Sequence, residues 1–169
     1  MKFLFRIFPA IALALAFTAS LALSVIPAMA VEPKAVTATR AITSSDAGTV
    51  IHVSAAAGLT LTLPAAVGSG YVYRVFIATT VTSNNVILNV ADATDVMQGN
   101  LVCAQDAADT AVIWETASTS DTITLNGTTK GGLRGDFFEF TDVAADLYLV
   151  TGLCAATGTE VTPFSAAVS

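Results

Sequence analysis

The chain has 169 residues, of which 54% are apolar and only 12% charged, and its formal net charge is −6. Its few cations are scattered rather than gathered into a patch or stripe, which excludes an electrostatic footprint for nucleic acid or an anionic membrane surface. Average chains carry about twice as many charges. Here Ala, Thr, Val, Gly and Ser fill the gap, and a surface of small, weakly polar residues suits packing against copies of itself.

The first thirty residues have the layout of a secretory signal peptide. Lys2 and Arg6 open it, an apolar run covers 7–26, and Pro27-Ala28-Met29-Ala30 supplies small residues for cleavage after Ala30. A retained membrane anchor is the alternative, since about twenty apolar residues can span a bilayer. Thr18, Ser20, Ser24 and Pro27 weaken that reading. Cleavage leaves five basic residues (Lys34, Arg40, Arg74, Lys130, Arg134) against 13 acidic ones, a net charge of −8. The remaining length suits one domain with a single core.

Residues 31–47, with Pro33 and several Thr and Ser, read as an arm or linker, and a β-rich domain follows over 48–169. Short β-branched and aromatic stretches alternate there with Gly, Asn, Asp and Ser about every ten residues, the pattern of a sandwich or barrel. The first strands are predicted over 49–53 and 59–63, the second alternating Leu and Thr before Pro64. At 71–78 both faces are apolar, which predicts a central strand. Further strands are predicted over 86–90, 96–104 with an interruption at Gly99, 110–115 and 121–126, the last meeting the Asn126-Gly127 turn. A terminal hairpin pairs 136–140 with 147–152. The expected fold is therefore all-β, a single-domain antiparallel sandwich or barrel of jelly-roll type.

Catalytic motifs are sparse. His52, the only histidine, lies inside a predicted strand, and no nucleophile elbow, phosphate loop or zinc-protease motif occurs in the body. No cofactor or metal site is expected. Asp92, Asp95, Asp106 and Asp109 match no calcium-loop spacing and read as turn residues. Cys103 and Cys154 either form one disulfide in an oxidising compartment or remain as buried thiols. Tyr71 and Tyr73 are candidates for a subunit interface or the core. Lys130 and Arg134 mark a candidate ligand loop.

Three stretches, Asp46-Ala47-Gly48-Thr49, Thr60-Leu61-Thr62-Leu63-Pro64-Ala65 and Gly70-Tyr71-Val72-Tyr73-Arg74-Val75, carry a resemblance, as does the later Gly135-Asp136-Phe137-Phe138-Glu139-Phe140 to Leu147-Tyr148-Leu149-Val150-Thr151-Gly152. Together they resemble a recurring β module of tailed-phage head fibres, capsid decorations and tail fibres. The resemblance implies a non-enzymatic structural protein, often a homotrimer, with a virion location. The export signal departs from it, because virion proteins assemble in the cytoplasm. The reading is a self-assembling structural protein that is exported to the periplasm, the outside or a surface, with attachment to a capsid or cell surface. The runner-up is a secreted β domain binding a glycan or cell-surface ligand through loops at 126–134 or 142–146. An exported hydrolase using paired carboxylates comes third.

Overall fold

The computed structural model describes residues 32–106 and 110–168. The predicted signal peptide or anchor lies outside them. The body, Val31–Ser169, forms one compact unit. Among the described residues there is no α-helix, and no helix is long and apolar enough to cross a membrane.

Among the described residues twelve strands build two sheets, and the all-β expectation holds. In chain order they are β1 (Lys34–Val36), β2 (Arg40–Ala41), β3 (Val50–Val53), β4 (Leu59–Thr62), β5 (Val72–Ile77), β6 (Val86–Asn89), β7 (Val96–Gln105), β8 (Ala111–Glu115), β9 (Thr122–Leu125), β10 (Phe137–Ala144), β11 (Leu147–Ala156) and β12 (Phe164–Ser165). The larger sheet has the order β1-β3-β5-β10-β11-β7-β8, the smaller one β12-β9-β6-β4-β2.

The antiparallel expectation needs correction. In the first half of the body the chain passes to and fro between the sheets. Thus β1, β3 and β5 pair in parallel in one sheet, and β2, β4 and β6 pair in parallel in the other. These are three coils of a flattened β-solenoid. Antiparallel pairing takes over later, where β10 and β11 form a hairpin beside β5 and β9 and β12 extend the second sheet. The long strands β7 and β11 then pair in parallel over their whole length. The arm expected over 31–47 is the first coil, held by β1, β2 and a 3-10 turn at Ser44–Asp46.

Strict alternation explains the sandwich. In β5, Tyr73, Val75 and Ile77 point inward and are buried, while Val72, Arg74 and Phe76 are half-buried on the outside. The predicted central strand is indeed interior to its sheet, flanked by β3 and β10. Leu59 and Leu61 of β4 and Val86 and Leu88 of β6 face the same core, joined by Phe138, Phe140, Tyr148 and Val150 of the hairpin. Each of the large residues, fully buried, contributes roughly 1.5–3 kcal/mol.

The expected break at Gly99 does not occur, and β7 runs straight through it. Gly99 has φ 149° and faces Val150 across the parallel pair, where a Cβ would fall 1.8 Å from the Val150 carbonyl oxygen. The glycine permits the close approach instead of ending the strand.

Candidate assembly surface

The inner faces are closed, and the outer face of the larger sheet carries the exposed large apolar side chains of the described strands. Register places its side chains in rows. One row crosses all seven strands: Ala35, His52, Phe76, Phe137, Leu153, Val102 and Ile113. It is apolar except at His52, whose ring lies 5.1 Å from that of Phe76. Leu153 is 62% exposed and Ile113 67% exposed. Two residues along each strand the row turns polar, with Arg74, Glu139, Thr151, Asn100 and Glu115. There Arg74 Nε donates to Glu139 Oε2 at 2.7 Å, so the two central charges neutralise each other. Beyond it the row is mixed, with Val72 and Leu149 apolar and Thr141 and Gln98 polar, and Tyr71 and Val143 are exposed nearby in the chain.

The second sheet differs. Of its outer positions, Thr60, Thr62, Asn89 and Thr124 are polar and Ile87, between Thr60 and Thr124, is apolar; all are half-buried, and Thr62 Oγ1 donates to Asn89 Oδ1. The exposed large apolar side chains of the described strands, Val102, Ile113, Val143, Leu149 and Leu153, all belong to the larger sheet.

Tyr71 and Tyr73 separate. Tyr71 precedes β5 and is exposed, whereas Tyr73 is 2% exposed and packs edge-on against Tyr148 at 6.4 Å between ring centroids. Tyr73 belongs to the core, and a substitution there probes folding rather than a subunit contact. Alternation assigned both tyrosines to one face, but Tyr71 lies outside the strand.

Lys130 and Arg134 sit in a tightly bonded excursion. Asn126 Oδ1 accepts from the N–H groups of Thr128 and Lys130, and Asp136 Oδ2 accepts from those of Gly132 and Leu133. Lys130 is half-buried and Arg134 exposed. Their loop is held by the Asn126 and Asp136 side chains.

Cys103 and Cys154 are joined, directly opposite each other on β7 and β11 with Cα atoms 4.4 Å apart and both side chains inward. This resolves the open alternative in favour of the disulfide.

The aspartates serve the loops. Asp142, 1% exposed, accepts from the N–H groups of Val67, Gly68 and Ser69 and from the Ser69 hydroxyl. Burial pushes its carboxyl up, but these bonds outweigh that and leave it below the ordinary range. Asp136 accepts also from Ala155 N–H, and there burial prevails and raises the carboxyl. Asp46 is opposed by burial too, yet Arg40, Lys34 and the Thr43 N–H hold it well below the usual range. Asp95 receives the Ala66 N–H, and Asp92 caps Thr94. Asp109 lies outside the described residues. Among those described, no three His, Cys, Asp or Glu side chains gather as a metal site. A hollow of about 420 Å³ at the first coil is lined by Lys34, Arg40 and Asp46, whose charges are already bonded to one another.

No protein-family model, curated protein or solved structure matches the chain.

Proposed function

We propose that this is an exported, non-enzymatic structural protein that works by self-assembly, in the manner implied by its resemblance to phage fibre and decoration modules. The observation that carries the reading is the apolar row from Phe76 to Ile113 on the outer face of the larger sheet. A second copy is the occupant that fits it. Its central charges are internally paired, so two such faces meet without a buried unpaired ion at their centre. Strand spacings of about 4.8 Å and side-chain steps of about 6.8 Å give the three rows a footprint of roughly 500 Å². Standard specific interfaces take about 800 Å² per partner, so this face contributes a large part of one contact. The intramolecular disulfide supports export, because such bonds persist in oxidising compartments.

The test replaces Leu153 and Val102 together by Lys. Both side chains point outward, so the fold is retained, and the assembly is expected to fall to a lower native mass. An unchanged mass would remove the face from the account.

A further inference from the structure

A sheet ends in two edge strands, and each presents unpaired backbone donors and acceptors to any passing strand. Among the described residues there are four such edges: β1 and β8 in the larger sheet, β12 and β2 in the smaller. Three are blunted by the usual devices. β1 has three residues, begins with Lys34 and follows Pro33. β2 has two residues and begins with Arg40. β12 also has two and follows Pro163. β8 carries none of these devices. It runs five residues as Ala111-Val112-Ile113-Trp114-Glu115, without Pro or a basic residue, and Ile113 at its centre is 67% exposed.

Its backbone is also oriented for pairing. Beside the β8 ladder, Gln105 N–H donates to Thr110 O and Thr116 N–H donates to Gly99 O. Antiparallel bonds alternate residue by residue, so Val112 and Trp114 turn their peptide groups toward β7. Ala111, Ile113 and Glu115 turn theirs outward.

We infer that β8 is a strand-pairing edge, and that its partner is β8 of a second copy, antiparallel about a two-fold axis through Ile113. The inference rests on the self-assembly reading and assigns it a second contact. The sequence of β8 is complementary to itself in this register. Ile113 faces Ile113 of the second copy, Val112 faces Trp114 and Ala111 faces Glu115. The first two are apolar or aromatic-with-β-branched pairs of the kind that stabilise sheets. The outward peptide groups supply about six hydrogen bonds, again alternating correctly. The two Glu115 side chains stand four residue steps apart, about 14 Å, so like charges do not oppose each other.

Pairing at β8 joins two seven-stranded sheets into one. It also makes the apolar row continuous from one copy's Phe76 to the other's, doubling the flat face available for stacking. A two-fold contact builds even-numbered assemblies, in place of the trimer that the phage resemblance implied.

The test uses the full chain and its native mass. Ile113→Pro removes an outward N–H that β7 does not use, a place where an edge strand tolerates proline. Ile113→Lys keeps that donor and adds an edge charge. Ile113→Pro, which keeps an apolar side chain in the row, is expected to halve the native mass, and Ile113→Lys, which also charges the row, to lower it at least as far, both with unchanged circular dichroism; Ile113→Cys is expected to form a covalent dimer on non-reducing gels. Wild-type mass retained in both the Pro and Lys variants, with no covalent dimer from the Cys variant, would overturn the pairing. An assembly indifferent to these changes but dispersed by Lys at 102 and 153 would overturn the β8 edge alone. A monomeric wild type would overturn the self-assembly reading beneath it.

Discussion

Asp46 shows how single residues hold this body together. Its carboxylate, 1% exposed, ties the first coil by accepting from Lys34 of β1, Arg40 of β2 and the Thr43 N–H. The sign of its pH dependence follows from its lowered acidity. Its stabilising contribution is fully present above the ordinary carboxylate value of 3.8 and is lost as pH falls below that toward its own depressed value. Asp46→Asn is expected to cost about 2 kcal/mol at neutral pH. The difference from wild type should narrow in denaturant titrations run progressively below pH 4. A constant difference across that range would mean that the charge is not what holds the coil. Such roles are only half legible in a sequence. Asp92 and Asp95 do lie in a loop, as their sequence context suggested, but the partners of Asp46 and Asp142 lie up to 75 positions away.

At the scale of elements, strands with clean alternation could be read directly. Leu59-Thr60-Leu61-Thr62 is apolar on one face and polar on the other, and β4 occupies those residues with both leucines buried. β1 and β2 could not be read, because three and two residues are too few to show a period. Their strand geometry comes from parallel pairing with β3 and β4. Alternation also assigns a residue to a face without naming its neighbour, so the row through Phe76, Phe137, Leu153, Val102 and Ile113 appears only once the register is known. Gly99 illustrates the same limit. A glycine inside a strand pattern suggested a break, and the reason it stands there is the Val150 carbonyl on the adjacent strand. Gly99→Ala is expected to destabilise the body by about 3 kcal/mol or more, through overpacking and strain where β7 meets β11. Thermal denaturation would show it as a clear fall in midpoint, and a change within about 0.5 kcal/mol would contradict the close approach.

For the whole molecule, composition and strand pattern led to the right class and to a two-sheet sandwich but to the wrong pairing, since the sheets are mixed rather than antiparallel. The shortage of charge and the β-branched content led to an all-β body, but a solenoid start was hidden by unequal coils. Successive coils advance by 17 residues from Lys34 to Ile51 and by 24 from Val50 to Arg74, so no sequence period exists to be found. The candidate surface was reached only in outline: the bland composition suggested self-packing without naming a face, and of the two residues named for it Tyr73 lies in the core. What the fold adds is a difference between the sheets, with a mostly polar, half-buried face on one, the exposed large apolar side chains of the strands on the other, and one edge strand without proline or a basic residue. Burial of that face and edge between copies is the central claim. Light scattering of purified Val31–Ser169, with and without reductant, measures it directly. The account predicts an even multiple of the chain mass in both conditions, since the disulfide lies within one chain. A monomer at all accessible concentrations would contradict it.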